Sequence, residues 1–451
     1  MSHDFSQASQ LSADVSYYLY SELLLNIRQV SLYLSYNKPS TLVTLCPELQ
    51  VLKSRSEINF SLPEYFPHAT RIIKLPARVS DATPQVFVLN EPLSTTDRSE
   101  GQSHEYSFRM QIDPTDPVLM PKEQLIDNHV PWTATDMSIS TRIRCRACGS
   151  PFLSTSTSHN IGLHDQDSSL GWIWKDLPSG NWAEMMDFWH CHKPDPRDND
   201  QSPEGRAVSK SDEQVAQAKG YGAASHIKAV TGIIFIDVTS FILAASDCIG
   251  LQKGGDESEE PNPCTGIAQQ FTLHCTTCDS PVGMQDSSVN GWRLMKANVS
   301  LNTHGLKDDL DGDQWQSHSS EILAAAQLLE LIQRENARRF IVHAGLKNGL
   351  LLWVFSPNLY YSYSNGIRSI GPQQAMKVLF QTVDDIDPFL MDDTGTPSLA
   401  LEEVIFPAMG FQAVSDALLR SNSILPLSAR RFNEWNVGLL DLFSRDGIIA
   451  T

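Results

Sequence analysis

Two short stretches, far apart in the chain, share one pattern: RCRACGSPF at residues 144–152 and HCTTCDSPVG at residues 274–283. Each reads C-x2-C-x-S-P. Each is also followed by a Gly-Trp pair that opens a short apolar run ending near a lysine, at residues 171–172 and 291–292. A fixed order of unlike residue types at two places suggests an internal duplication. We therefore expect two similar β-hairpins, each carrying one pair of cysteines.

Four thiols in two closely spaced pairs suit a structural zinc ion, because each C-x2-C turn presents two sulfurs at about 2.3 Å from the metal. The sequence thus predicts one Zn²⁺ site formed by Cys145, Cys148, Cys275 and Cys278. The alternatives are a pair of redox dithiols or ordinary buried cysteines. A thioredoxin-type pair opens a helix within a βαβ pattern, whereas Gly, Asp and Pro follow these pairs and favour turns.

Three arginines alternate beside the first cysteine pair, at Arg142, Arg144 and Arg146. On a β-strand this spacing places their side chains on one face. There they could offset the double negative charge of a zinc ion bound by four thiolates.

Composition limits the classes of function. The chain has 451 residues and a net charge of −19 at pH 7, which argues against direct nucleic-acid binding, since that requires a basic surface. Eight cysteines are too few for a secreted disulfide scaffold of this length, which favours a reducing compartment. The N-terminus shows no signal peptide, and the longest apolar run, residues 232–245, is too short to span a membrane. We expect a soluble protein of the cytoplasm or nucleus.

The hydrophobic pattern predicts an α+β fold that is mostly antiparallel β. Apolar residues alternate with polar ones from Arg28 onward, and similar short runs fill the first 140 residues. A strand or two are expected within residues 230–244. Ser319 or Ser320 can cap a helix, and Asn348-Gly349 predicts a hairpin turn.

Three regions follow from this pattern: an N-terminal β region at 1–140, a zinc-binding middle region at 141–315 and a C-terminal α+β packing region at 316–451. The middle region contains two predicted disordered insertions, at 193–214 and 252–263, where apolar residues are few.

Two ionisable positions stand out from their surroundings. Glu22 lies in an apolar setting, where it is either a functional group or a residue at a sheet edge or hairpin end. Cys191 lies between His190 and His192, at the end of an aromatic segment that starts at Gly171. A neighbouring imidazole can take the thiol proton, and the thiolate is the nucleophile. Cys191 and His192 could equally pack in the core or bind a second metal ion with Cys264 or His274.

Five motifs together resemble one known family. They are SELLLNIRQVSLYL at 21–34, IRCRACGSPF at 143–152, WAEMMDFWHCH at 182–192, HCTTCDSPVG followed by GWRLMK, and LPLSARRFNEW at 425–435. They look like the HECT-like ubiquitin-conjugating enzyme (E2)-binding proteins, which are described as E3 ubiquitin ligases.

The resemblance implies binding of an E2, acceptance of ubiquitin as a thioester and transfer to lysine. It also implies possible ties to cyclin turnover and, in fungal members, to nuclear mRNA 3′-end processing. A true HECT ligase has its catalytic cysteine near the C-terminus, but this chain has no cysteine after Cys278. Cys191, with His190 or His192 as base, is then the strongest acceptor. The alternative function is a zinc-stabilised adaptor that holds an E2 or a processing factor without a covalent step.

Overall fold

The structure is a computed structural model in which the residues can be described over most of the chain. The described residues are 17–38, 48–61, 71–87, 89, 94–98, 101–119, 129–154, 171–177, 228–254, 272–303, 314–365, 369–390 and 401–445. They form two compact units. One contains Met1–His129 and Ala337–Thr451, and the other contains Val130–Asn336. Most of the predicted N-terminal region and most of the predicted C-terminal region therefore belong to one unit, whereas residues 130–140 and 316–336 belong to the other.

Antiparallel β-strands dominate both units, as the sequence predicts, and the fold is α+β. The strands are β1 Tyr17–Leu24, β2 Gln29–Lys38, β3 Glu48–Val51, β4 Glu57–Ser61, β5 Arg71–Lys74, β6 Val86–Phe87, β7 Ser94–Arg98, β8 Gly101–Gln111, β9 Arg142–Cys145, β10 Ile173–Asp176, β11 Ile233–Ile236, β12 Ser240–Leu243, β13 Leu251–Gly254, β14 Thr272–Cys275, β15 Pro281–Asp286, β16 Gly291–Met295, β17 Val299–Asn302, β18 Arg339–His343, β19 Gly349–Asn365, β20 Ser369–Val383, β21 Glu402–Ile405, β22 Arg431–Phe432 and β23 Trp435–Asp441. The helices are α1 Ser320–Glu335, α2 Asp387–Leu390 and α3 Ala408–Ile424. Among the described residues, no helix is long and apolar enough to cross a membrane.

The first unit is built on a ten-stranded sheet. Its main path runs β22-β23-β20-β19-β1-β2-β8-β7, with β18 beside β19 and β21 beside β18. Leucines 19, 23, 32 and 34 point from β1 and β2 into a core that also contains residues of the four-stranded sheet β5-β4-β3-β6. The alternation of apolar residues after Arg28 therefore reflects one buried face of β2.

The opposite face of β1 carries a buried ion pair. Glu22 lies in a strand that is paired on both sides, with Ser31 in β2 and with Tyr361 in β19. Its carboxylate accepts hydrogen bonds from the Lys377 amine at 2.8 Å and the Tyr20 hydroxyl at 3.1 Å. Glu22 is therefore not an edge residue, and its charge is neutralised by a lysine 355 positions away.

The segment before β22 contacts the far end of the same sheet. Ser428 donates a hydrogen bond to the carboxylate of Glu105 in β8, and three residues later the chain enters β22. Tyr18 in β1 also donates to the carbonyl oxygen of Ile424. The sheet is therefore curled, so that the segment between α3 and β22 spans its inner face.

The predicted hairpin in the C-terminal region is confirmed. β18 and β19 pair antiparallel, and Gly349 opens β19 directly after the turn. A Cβ atom at Gly349 would lie 2.6 Å from the side chain of Ile386 and 2.9 Å from the carbonyl oxygen of Val342, so a larger residue does not fit. β21 then pairs parallel with β18, and α3 follows it.

The second unit contains a seven-stranded sheet, β10-β11-β12-β16-β15-β14-β13, and the strand pair β17-β9. Helix α1 begins as predicted, because the Ser319 side chain accepts a hydrogen bond from the Ile322 N–H at 3.3 Å. The two Gly-Trp runs hold different positions: β16 lies in the middle of the sheet, while β10 forms one edge. Residues 252–254, placed in a disordered insertion by the sequence, form part of β13. The rest of that insertion and all of 193–214 lie outside the described residues.

Removing the cation of the buried pair should destabilise the first unit. In Lys377→Met the Glu22 carboxylate stays buried without its cation, so we expect the free energy of unfolding to fall by about 3 kcal/mol in urea denaturation. Glu22→Gln/Lys377→Met removes both charges and should recover at least half of this loss. Equal stability of the single and double variants would contradict the ion pair.

Candidate metal centre

The two cysteine-bearing turns have the same backbone structure. In the first, the Cys145 N–H donates to the Ser150 carbonyl at 2.8 Å and the Gly149 N–H donates to the Cys145 carbonyl at 3.0 Å. In the second, Cys275 repeats both bonds, with Ser280 at 3.0 Å and Asp279 at 2.9 Å. Gly149 and its counterpart Asp279 both have left-handed backbone angles, with φ of 80° and 55°. The C-x2-C-x-S-P pattern therefore encodes one turn that is built twice.

The two turns bring their sulfur atoms together. Cys145 Sγ lies 3.7 Å from Cys278 Sγ, and Cys148 Sγ lies 3.6 Å from Cys275 Sγ. All four sulfurs lie within 4.8 Å of one another. A tetrahedral ion with metal–sulfur bonds of about 2.3 Å requires sulfurs about 3.8 Å apart. Disulfide sulfurs would be about 2 Å apart, so the geometry fits a metal ion better than a disulfide.

Burial differs between the two cysteines of each pair. Cys145 and Cys275, which end strands, are buried, whereas Cys148 and Cys278 are exposed. Burial raises the pKa of the Cys145 thiol to about 12, while hydrogen bonds from the side chain and backbone of Ser150 lower the pKa of Cys148 to about 6. A bound cation would stabilise the thiolate form that burial disfavours at Cys145.

Each turn is held in place by a strand that pairs with the strand leading into it. β9, which leads into the first turn, pairs with β17 from beyond the second turn, with Val299 opposite Cys145. β14, which leads into the second turn, pairs with β13 from before it, with Leu251 opposite Cys275. Behind both turns lies one core that includes Phe152. The sulfur cluster therefore sits where the two copies of the motif meet.

The three arginines beside the first turn contact groups other than the sulfurs. The guanidinium groups of Arg144 and Arg142 lie over the ring of Trp315, at 3.9 and 5.3 Å from its centre. Arg146 donates to the carbonyl oxygens of Ala297 at 2.9 Å and His318 at 2.7 Å. Arg142 and Arg144 thus share a face, as predicted. Trp315 is not predictable as their partner, because nothing in the sequence spacing links it to β9.

The remaining thiols fall into two groups. Cys248 lies among the described residues. Its burial and, as the smaller cause, the nearby charge of Asp247 raise the pKa of its thiol to about 12. Cys191 and His192 lie outside the described residues, as do the other residues of the aromatic segment from 178 to 192, Cys46 and Cys264. His274, considered above as a partner of Cys191, has its Nδ1 2.9 Å from the carbonyl oxygen of Asp279 in its own turn.

Comparison with known proteins identifies the family. The model of the family described as HECT-like ubiquitin-conjugating enzyme (E2)-binding matches residues 22–437. The chain belongs to this family. The match contains both cysteine turns and nearly all of the sheet of the first unit, so membership in the HECT-like family describes the whole architecture rather than one motif.

Two fungal proteins are similar to this chain. An uncharacterised protein of Schizosaccharomyces pombe is 27% identical over 331 residues, which cover 71% of this chain and 79% of the relative. An uncharacterised protein of Saccharomyces cerevisiae is 24% identical over 275 residues, covering 60% of this chain and 64% of the relative. The match thus spans less than two thirds of the Saccharomyces protein. No solved structure matches the chain significantly.

The carbonyl oxygen of His318 accepts a hydrogen bond from Arg146. The side chain of His318 should make the free energy of unfolding depend on pH. Burial, with the charges of Lys296 and Arg146, lowers the pKa of His318 to about 4. The unfolded chain therefore takes up a proton at this residue first, below pH of about 6.5. We expect the free energy of unfolding to fall between pH 6.5 and 4 by on the order of 2 kcal/mol more in the wild type than in His318→Gln. Parallel curves in urea titrations across this range would contradict the assignment.

Proposed function

We propose that Cys145, Cys148, Cys275 and Cys278 hold one structural Zn²⁺ ion. The observation that supports this is the convergence of two identical turns to sulfur separations of 3.6 and 3.7 Å. Thiolate sulfur is a preferred ligand of zinc, and a site with four protein ligands has no open position for a substrate. The role of the ion is then to connect the two copies of the motif, not to take part in a reaction.

Metal analysis tests this site. The purified wild type should contain about one zinc per chain, and Cys275→Ser should lose the metal and fold poorly, because structural zinc contributes on the order of 10 kcal/mol. Cys248→Ser is the matched control and should keep both metal and solubility, since this thiol lies outside the cluster.

A soluble, metal-free and cooperatively unfolding Cys275→Ser protein would contradict a structural metal. A content near two ions per chain would instead indicate a second site, for which Cys191 and His192 are the first candidates.

We further propose that the chain binds a ubiquitin-conjugating enzyme and acts as an E3 ubiquitin ligase that promotes transfer of ubiquitin to lysine. The support is the family match over residues 22–437, whose description names E2 binding. A reducing compartment, in the cytoplasm or nucleus, is consistent with the free thiols of the cysteine cluster.

The proposed acceptor of ubiquitin is Cys191, with His192 or His190 as the base. Attack of the Cys191 thiolate on the E2 thioester would form a new thioester and release the E2 cysteine as a thiol; a substrate amine would then displace the Cys191 sulfur. Two facts favour Cys191 over the described thiols. Four of these belong to the cluster, and burial keeps Cys248 protonated at neutral pH.

A thioester assay distinguishes this mechanism from its alternative. Wild type and Cys248→Ser, incubated with a ubiquitin-charged E2, should give an adduct that is cleaved by thiol reductant, and Cys191→Ser should give none. An adduct in Cys191→Ser that thiol reductant still cleaves would move the acceptor to another cysteine, and no adduct in any of the three would exclude the thioester step.

The alternative is a zinc-stabilised adaptor that binds the E2, or a cyclin or an mRNA 3′-end-processing factor, without a covalent step. The closed ligand set of the cluster favours it, since a structural site alone requires no reaction. Binding of the E2 together with absence of any thioester would support the adaptor.

A further inference from the structure

Strand β21 is an exposed edge of the ten-stranded sheet. It pairs with β18, and no other described strand pairs with it. The side chain of Glu403 is 46% exposed, and Ile405 is 60% exposed. An edge strand presents a row of backbone N–H and C=O groups to which another extended chain can bind.

The backbone directions in β21 follow from one hydrogen bond. The N–H of Phe406 donates to the carbonyl oxygen of His343 in β18 at 2.9 Å. Because successive residues of a strand present their backbone groups to opposite sides, Val404 also faces β18, whereas Glu403 and Ile405 direct theirs away from it. On this side, where no strand of the described part of the chain pairs with β21, Glu403 and Ile405 thus offer two donors and two acceptors.

The strand itself is held firmly. Val404 is buried, and four successive residues of β21 are in register with β18, from Phe340 opposite Glu402 to His343 opposite Ile405. The Glu403 carboxylate lies 2.8 Å from Nε2 of His343, which is itself only 4% exposed. The edge is therefore preorganised, and an added strand would not have to order it.

Acidic side chains surround this edge. Glu402 and Glu403 lie on β21 itself, and exposed Asp384, Asp385 and Asp387 follow β20. The Ile386 N–H donates to the Lys347 carbonyl at 2.8 Å, and Ile386 packs in the same small core as Ile341, which is opposite Glu403. The aspartates are thereby held beside the β18–β21 pair. Two exposed basic side chains are also nearby. The Lys347 amine, which is 79% exposed, lies 3.7 Å from Asp387, and the guanidinium of Arg339 at the start of β18 lies 4.9 Å from the centre of the Trp353 ring.

We propose that β21 binds an extended, basic segment of a partner protein as an added β-strand. Backbone hydrogen bonds to Glu403 and Ile405 would supply affinity, lysine or arginine beside the glutamates would supply charge complementarity, and an apolar residue would pack on Ile405. A second copy of this chain fits less well, because two β21 strands would place like charges opposite each other. This interaction is independent of the proposed ligase activity.

The test uses the full-length protein and a synthetic peptide, acetyl-KVKVKV-amide, with acetyl-EVEVEV-amide as the charge control. We expect the Lys peptide to bind by fluorescence anisotropy and to slow hydrogen exchange in the segment that contains β21, while the Glu peptide does neither. Ile405→Pro removes an outward N–H and keeps the bonds of Val404 and Phe406 to β18, so it should weaken peptide binding at least about tenfold. Ile405→Val keeps the N–H and a β-branched side chain and should bind as the wild type does.

Thermal unfolding of Ile405→Pro provides the folding control and should remain cooperative. Equal binding of the two peptides, or equal affinity of Ile405→Pro and wild type for the Lys peptide, would overturn the proposal. Concentration-dependent dimerisation that protects β21 without peptide and is lost in Ile405→Pro would overturn it in favour of a second copy. Binding of the Lys peptide that weakens with salt and with Ile405→Pro would support it.

Discussion

The convergence of four sulfur atoms constrains the second unit more than any other contact. Each pair of thiols belongs to a turn that its own backbone hydrogen bonds define, so the turns do not need each other to form locally. Their sulfurs nevertheless approach to 3.6 and 3.7 Å. Burial disfavours the thiolate form of Cys145, and a cation bound by the four sulfurs would offset that cost. Such a cation would connect the strand pair β9–β17 to the strand pair β13–β14.

The duplication is present in the structure as well as in the sequence. The strand that the sequence pattern assigns to the first copy is, however, not the structural counterpart of β16. β12 and β16 pair antiparallel at the centre of the sheet, and a short 3-10 turn follows each, at Ala245–Asp247 and Lys296–Asn298. The structural counterpart of the Gly-Trp strand β16 is thus the Ser240–Leu243 strand rather than β10. The two Gly-Trp pairs do not predict equivalent strands, because the position of a strand in a sheet depends on the strands that pair with it. Residues 171–172 carry no information about those partners.

Features that depend on neighbouring residues could be predicted from the sequence. Contacts between distant residues could be predicted only where they form a recognisable set of metal ligands. The Ser319 cap, the Asn348-Gly349 turn and the alternation in β2 each depend on neighbouring residues, and the structure contains all three. The cysteine cluster was predictable across 127 and 133 residues because metal ligands come in recognisable sets. Lys377 as the partner of Glu22, and Trp315 beneath Arg144, were not predictable, since any lysine or tryptophan in the chain could have served. The described residues do not include Cys191, so its role stays a prediction.

The first unit is made from the two ends of the chain, and this has a consequence for its biogenesis. β1 pairs with β19, Tyr20 opposite Tyr363, so the central strand of the sheet must wait for a partner encoded far downstream. At typical ribosomal rates that interval is roughly 20–70 s, during which the tyrosine- and leucine-rich start of the chain has one side unsatisfied. The nascent polypeptide is thus a natural client for chaperones that shield unpaired strands, and a chain that ended between β2 and β19 would leave one edge of β1 without its strand partner.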